Sequence, residues 1–323
     1  MASTNTKAAA EVQEKKFDWH QIKSLLPIIS FVAIVAIFAI LTRGQLITPR
    51  NITLIISGGF TLMIATVGVY MIMSMGCLDF SQGSMMGLSC AVVCYLSQFN
   101  PFVAILGGMA TGALIGLINA VFHVKGQIQS FVVTMCMMFL LRGIIAYITT
   151  SSPVMASTTL TSLATNTPLL VGIVVVVLVI AYLVLHFTAL GSNLKAIGAS
   201  ESGARFAGIN VQRTKIIIYV VAGAITGFAA LINAIRVGSV TSSSGNMLET
   251  QILIALVLGG MPINGGARSR FSSVVTGVLS YLVLQRGLVM LGFTTEIQQL
   301  ILGVVFVIMV AVFSERAANQ VIK

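Results

Sequence analysis

The sequence predicts an all-α polytopic membrane protein with about ten transmembrane helices, some of them short or broken. Three observations predict it. Only 8% of the 323 residues are charged and 57% are hydrophobic, with a mean hydropathy of +1.02; a soluble domain carries roughly 25% charged residues. The apolar runs are continuous rather than alternating, which is the pattern of spanning helices and not of barrel strands. Finally, the lysines and arginines gather in short loops that fall mostly on one side when the runs are threaded through a bilayer.

A spanning helix needs about 20 apolar residues, and the candidates follow in order. Leu25–Leu41 comes after a polar tail, residues 1–24, and lacks a small-residue cleavage site. It is therefore expected as a retained first span rather than a removed signal peptide. Ile52–Met75, Ser81–Ser97, Phe102–Phe122, Ile128–Ile148 and Leu169–Phe187 come next, and Ile216–Ile235 follows a charged segment. Leu248–Met261 and Phe271–Leu284 are short for full crossings and are expected to be re-entrant, broken or longer than the apolar run itself. Ile297–Phe313 is the last. Together they make one membrane domain over residues 25–315, with a second tail at 316–323.

Threading ten spans with the amino terminus inside places Lys7, Lys15, Lys16, Lys23, Lys125, Lys195, Arg205, Arg213, Lys215, Arg268, Arg270, Arg316 and Lys323 in the cytoplasm. Arg43, Arg50, Arg236 and Arg286 fall outside, and Arg142 lies within a span. This asymmetry predicts that both tails are cytoplasmic. It also accounts for the net charge of +10 without a nucleic-acid partner. An eight-span chain, with the eighth and ninth runs re-entrant, keeps the same parity. The longest exported loop, Thr149–Pro168, carries no charge.

The sequence holds no G-x-x-x-x-G-K-[ST] loop to cradle phosphates, no H-E-x-x-H and no G-x-S-x-G. Its histidines, His20, His123 and His186, sit at span ends or in the tail. Cys77, Cys90, Cys94 and Cys136 form no zinc spacing and are expected to be free thiols packed as small hydrophobes. No catalytic residues and no metal site are expected.

One segment departs from this oily background. Lys195, Glu201, Arg205, Arg213 and Lys215 crowd between two apolar runs. Ser200 can cap a helix with Glu201 in its first turn. Ala204, Arg205 and Phe206 continue it, and Gly208 can end it in a left-handed conformation before Ile209. A short surface helix with little bulk except Phe206 suits docking to a cytoplasmic partner; a solvated loop that only fixes topology is the plainer alternative. The stretch G-S-N-L-K-A-I-G-A-S-E-S-G-A-R-F-A-G-I-N-V-Q-R-T-K resembles the cytoplasmic coupling loop of ABC-importer permeases of the ribose/galactose (carbohydrate uptake 2) family. The matching positions are Glu201, Ala204, Arg205, Gly208, Ile209 and Val211. The resemblance implies that the loop at 190–215 seats on a separate ATP-hydrolysing subunit.

Two further stretches bear on function. In Met75–Leu88, Asp79 is the only acidic residue between Asp18 and Glu201, and a charge at membrane depth costs about 2.5–3.5 kcal/mol. Ser81 and Ser84 can hydrogen-bond the carboxylate or cap the next helix, while Gly76, Gly83 and Gly87 permit close packing or a chain break. Asp79 is thus either a helix cap in a cytoplasmic turn or a site at membrane depth. The stretch resembles the same family's G-G-I-D-L-S-x-G-S signature, with Cys77 in place of the second glycine and Phe80 in place of leucine. In Leu256–Gly277, Gly259, Gly260, Gly265 and Gly266 are similar to the family's paired glycines and break a helix near the cytoplasmic face, whereas Ala267–Arg270 depart from its small residues.

The outer Arg43, Arg50, Arg236 and Arg286 are expected as interfacial anchors or as a docking surface for an acidic external protein. Asn119, Gln127, Gln129, Asn233, Gln251 and Gln298 lie in or near spans, where amides usually bind helices together; some, such as Asn119 and Gln129, are candidates for a path taken by a neutral, hydroxyl-rich solute. Arg142 is expected to pair with Asp79. Few carboxylates lie within spans, which argues against a proton- or sodium-coupled pump.

The resemblance covers about residues 25–315 and implies the ABC-importer permease fold in the bacterial cytoplasmic (inner) membrane, in contact with lipid. Two permease chains, commonly a homodimer, would sit over two ATPase subunits that hold the ATP and Mg. A monosaccharide would be received from an extracytoplasmic sugar-binding protein and carried inward by alternating access. Permeases for nucleosides, furanosyl signal molecules and branched-chain amino acids share this architecture and remain open. A stand-alone channel or secondary carrier is the competing class, and it leaves the charged helix unexplained.

Overall fold

The computed structural model describes residues 19–266 and 269–313. The expected basic residues Lys7, Lys15, Lys16, Arg268, Arg316 and Lys323, with most of the two tails, lie outside the described residues. The chain is helical almost throughout. Helix α1 (Trp19–Leu41) starts six residues before the expected run and leads through a tight turn to α2 (Pro49–Gly58) and α3 (Phe60–Ser74). Then come α4 (Gln82–Ser97), α5 (Pro101–Val124) and α6 (Ser130–Ile148). The uncharged loop carries strand β1 (Val154–Met155) and the single turn α7 (Thr158–Thr161) before α8 (Thr167–Phe187). Helices α9 (Ala189–Ala199) and α10 (Glu201–Phe206) occupy the charged segment. The long α11 (Val211–Val237) is followed by strand β2 (Ser239–Val240), α12 (Leu248–Leu258), α13 (Ser272–Met290) and α14 (Thr295–Phe313).

Helices α5, α6, α8, α11, α13 and α14 are each long and apolar enough to cross a membrane, and α2 with α3 makes a seventh crossing bent by 42°. The bend sits at Gly59, where a side chain would collide with Leu282 of α13. The two runs expected to be re-entrant, broken or longer than drawn turn out differently from each other. The ninth run extends to Met290 and gives a full-length helix, whereas the eighth stops at Leu258 after eleven residues, about half the thickness of a hydrocarbon core. The third run is the other short one, with sixteen residues in α4.

The two short helices share a plan. After α3 the chain runs non-helical through residues 75–81 before α4 begins; after α11 it runs non-helical through 238–247, apart from the short β2, before α12 begins. The starts of the two short helices meet: a side chain at Gly83 or Gly245 would strike the backbone of the other, and one at Gly87 would strike Ser244. At one end of the bundle Ser74, Gly198 and Gly266 come together. At the other end β1 pairs antiparallel with β2, and Ser97 Oγ accepts from the Ser157 N–H. Each break is therefore entered from the opposite end, and the two short helices start against each other inside the protein.

Helix α3 is the centre of this arrangement. All fifteen of its residues are buried, consistent with a helix that is apolar all round. The closest helix crossing joins α5 to α11. Gly108, Gly112 and Gly116 on α5 lie against the backbones of Gly227, Gly223 and Tyr219 on α11. Small residues four apart let two helices approach to backbone contact, where dispersion and not hydrophobic burial holds helices together in lipid.

Replacing Gly112 with Val is expected to destabilise the detergent-solubilised protein by about 3 kcal/mol or more, since the added Cβ meets a carbonyl that cannot move aside. Gly303→Ala, at a position with open space around it, serves as the control and should leave the thermal midpoint unchanged. Equal midpoints for the two variants would show that the α5–α11 seam is not close-packed.

Candidate functional site

Helix α10 is built from local rules. Ser200, in extended conformation, accepts a hydrogen bond from the Gly203 N–H at 3.1 Å, satisfying one of the helix's free donors. Glu201 stands in the first turn, where a negative charge is favoured. Its carboxylate is shared between two cations, Arg205 Nη2 at 2.7 Å one turn later and Lys215 Nζ at 2.8 Å on α11. Lys215 above all, and then Arg205, holds the Glu201 carboxyl below the usual carboxylate range, so the brace stays charged at neutral pH. Gly208 closes the helix with a φ of 82°, and the Ile209 N–H reaches back to the Ala204 carbonyl. Ala204 is buried on the inner side, while Phe206 is 93% exposed.

An exposed phenylalanine on a six-residue helix that is capped, closed by glycine and tied to a long helix by an ion pair is a rigid apolar peg. Glycine loops from the rest of this end support it. Gly198, just before α10, packs on Ser74 and Gly266, so a displacement of α10 bears directly on the ends of α3 and the 262–266 loop. Gly265, with a φ of 64°, lies so close to Met73 that a side chain would overlap its carbonyl.

The Asp79 segment lies inside the protein. Asp79, Ser81, Gln82, Ser84 and Asn119 are all buried. Asp79 accepts from the Ser81 N–H at 2.8 Å, the Ser81 hydroxyl at 2.6 Å and Gln82 Nε2 at 2.7 Å. Asn119 Nδ2 donates to Ser81 Oγ at 2.9 Å, and the Thr226 hydroxyl donates to Gln82 Oε1. One chain of hydrogen bonds therefore links the break, α4, α5 and α11. Gly76 has the left-handed conformation, with a φ of 75°; Cys77, in the position of the family's second glycine, does not need it and is simply buried. Gln129 stands apart, exposed at the start of α6.

Arg142 does not meet Asp79. Its Nη2 lies 2.7 Å from Glu249 Oε1 and its Nη1 donates to Asn246 Oδ1, also at 2.7 Å. Glu249 is 6% exposed and Arg142 26%, and Glu249 Oε2, packed against Gly83 where the half-helices meet, has no hydrogen-bond partner. Glu249 went unremarked in its apolar run. The signal was available: an arginine within a span needs an acid, and Asp79 has Ser81 and Gln82 beside it to serve the same need. Two buried carboxylates also weaken the argument from their scarcity, although Arg142 neutralises one of them.

Gln251 and Gln298 line a cavity of about 130 Å³ between α12, α13 and α14, together with Gln285, Gln299, Thr250 and Tyr281. Its walls offer neutral donors and acceptors. Asn233 instead donates to Cys90 Sγ, and Gln127 occupies a tight turn with positive φ. Cys77, Cys90 and Cys94 are buried free thiols and Cys136 is exposed. Among the described residues no three His, Cys, Asp or Glu side chains gather as a metal would require.

The four arginines expected on the outer side divide. Arg236 lies over the Phe60 ring, 5.8 Å from its centroid, and Arg286 donates to Asn51 Oδ1 at 3.0 Å, so both serve contacts within the chain. Arg43 and Arg50 are exposed.

Residues 51–310 match the family described as "Branched-chain amino acid transport system / permease component". The chain is 31% identical to the ribose import permease protein RbsC of Escherichia coli K12 over 91% of its own length and 94% of that protein's. It is 29% identical to the L-arabinose ABC transporter permease protein AraH of Azospirillum brasilense, covering 87% and 84% of the two chains. It is 28% identical to the galactofuranose transporter permease protein YtfT of Escherichia coli K12, covering 77% and 75%. No solved structure matches it.

Glu249→Met should destabilise the purified protein by about 3 kcal/mol, because Arg142 is left in the membrane interior without its counter-charge. The double variant Arg142→Met/Glu249→Met should recover most of that loss, since a buried ion pair and an apolar pair of similar volume are often close in stability. Unfolding in detergent measures both, and a double variant no more stable than the single one would contradict a pairwise role.

Proposed function

Since the chain belongs to this permease family, as a transmembrane subunit of an ABC sugar importer, we propose that it carries a monosaccharide into the cell by alternating access, driven by ATP hydrolysed on a separate subunit. The observation that carries this reading is α10. Phe206 is bare and the helix beneath it is braced by Glu201, Arg205 and Lys215. A rigid aromatic projection of this kind is the usual anchor of an interface. The end bearing α9 and α10 then faces the cytoplasm, both tails lie on that side, and the protein is a multi-pass component of the bacterial inner membrane.

In this mechanism ATP, with Mg, is held by the partner ATPase subunit and supplies the energy for its closure. The permease converts that movement into a shift of α10. Gly198 passes it to the ends of α3 and to the 262–266 loop, which leads from α12 into α13. Two states of the helix bundle, biased by nucleotide on one side and by the loaded binding protein on the other, open the path to alternate faces. A second copy of this chain completes the path; the largely bare surfaces of α6, α8 and α14 leave room for that copy and for lipid. Arg43 and Arg50 are the outer cations free to meet an acidic face of a sugar-binding protein.

The sugar class rests on the ribose, arabinose and galactofuranose permeases to which the chain is similar, and on the amide-lined cavity between α12, α13 and α14. A neutral polyol needs donors and acceptors rather than fixed charge, and Gln251, Gln285, Gln298 and Gln299 offer both.

Phe206→Asp should weaken association with the partner ATPase subunit at least tenfold, about 1.4 kcal/mol, and reduce ATP-driven sugar uptake in parallel, while the permease itself elutes and melts as before. Glu201→Lys, which sets a third cation beside Arg205 and Lys215, should do the same. Full association and uptake in both variants would remove α10 from the docking role.

A further inference from the structure

At the α9–α10 end of the bundle lies a second cavity, of about 300 Å³. Lys195 of α9 and Arg270, two residues before α13, both line it, with Ser74 and Ser272 adding hydroxyls. Among the described residues neither cation has a carboxylate partner: the one acid at this end, Glu201, is held by Arg205 and Lys215. The opposite wall is aromatic. Tyr182 stacks on His186 with ring centroids 5.2 Å apart, and also meets Phe271 at 5.9 Å.

Tyr182, Leu185 and His186 bring α8 to the cavity wall. Val175, Val179, Tyr182 and His186 follow one another at spacings of four, three and four residues, one stripe of a helix. Val175, Val179 and Tyr182 are exposed, as are Val176, Ile180 and Leu183 alongside them. A pocket with two unpartnered cations at the end of a bare apolar stripe therefore fits a ligand with two parts, an anionic head and a hydrocarbon tail. Tyrosine and histidine at their junction match the amphipathic belt where headgroup meets acyl chain.

We propose that this cavity binds the phosphate headgroup of an anionic phospholipid, with Lys195 and Arg270 on the phosphate and an acyl chain along the Val175–Val179–Tyr182 stripe of α8. The assignment rests on the orientation proposed above, which puts the pocket at the cytoplasmic leaflet, where anionic lipids draw basic side chains. It ties lipid composition to the coupling apparatus, because Lys195 lies on the helix that precedes α10 and Arg270 on the segment leading into α13.

Native mass spectrometry of the full-length permease, delipidated in detergent and titrated separately with phosphatidylglycerol and phosphatidylcholine, tests it. Wild type should retain phosphatidylglycerol about tenfold or more over phosphatidylcholine. Lys195→Gln/Arg270→Gln should erase that preference, and Lys125→Gln/Arg213→Gln, which alters two other cations of the same end, should keep it. Equal retention of phosphatidylglycerol by wild type and the Lys195/Arg270 variant would overturn the proposal. So would displacement of the lipid by millimolar inorganic phosphate, which would make the ligand a soluble anion. Orientation is read independently of sugar and lipid: a cysteine at Ser202 in a Cys136→Ser background should react with an impermeant maleimide only after cells are opened. Labelling of intact cells would overturn the leaflet assignment while leaving the headgroup titration to stand or fall on its own.

Discussion

Hydrocarbon offers no hydrogen bonds, so a chain that abandons helix at membrane depth must find partners for every freed backbone group inside the protein. Two segments of this chain face that constraint, residues 75–81 and 238–247, and much of the surrounding structure answers it. In the first, the Leu78 and Phe80 N–H groups donate to Ser130 and Thr134 of α6, and the Ser81 N–H donates to the Asp79 carboxylate. In the second, Ser239 and Val240 pair with the outer loop, and Thr241 and Ser244 satisfy each other. The polar side chains that looked like candidates for a solute path are thus partly occupied in keeping the breaks closed.

The breaks have a consequence for function. A straight span transmits motion along its axis, but a short helix preceded by an irregular segment can tilt without sliding its far end. Helices α4 and α12 start against one another, with the Arg142–Glu249 pair and the buried Glu249 Oε2 at their junction. A small shift of either start changes which groups reach Arg142. The glycine contacts of Gly198, Gly265 and Gly266 join the end of α3 to α9 and to the loop between α12 and α13. Contacts this close-packed resist continuous deformation.

Much of this was legible in the residues, and the remainder was hidden for physical reasons. Each of the ten apolar runs is helical, the second as the bent pair α2 and α3, because a long apolar run in lipid must satisfy its own backbone. The cap and the stop of α10 were readable, since Ser200 and Gly208 act on neighbours three or four positions away; the tie from Glu201 to Lys215, fourteen positions on, was not. The starts of α4 and α12 were readable to within one residue, since Asp79 and Ser81 before the one and Thr241–Asn246 before the other interrupt the apolar pattern; that the two starts meet inside the protein was not, because only tertiary contact decides it. The pairing of Arg142 with Glu249 joins positions 107 apart in sequence, and no local pattern selects Glu249 over Asp79. The α5–α11 seam was visible in principle as glycines spaced by four, at 108, 112, 116 and again at 223 and 227.

The central claim is that this chain performs no work of its own and moves solute only when an external ATPase pushes on α10. Vesicles reconstituted with the permease and loaded binding protein, with or without the ATPase subunit and internal ATP, measure it directly. Uptake of the sugar should require both the ATPase and ATP, and fall to the rate of protein-free vesicles when either is left out. Equal uptake in the absence of the ATPase would contradict the account and return the chain to the class of self-sufficient carriers.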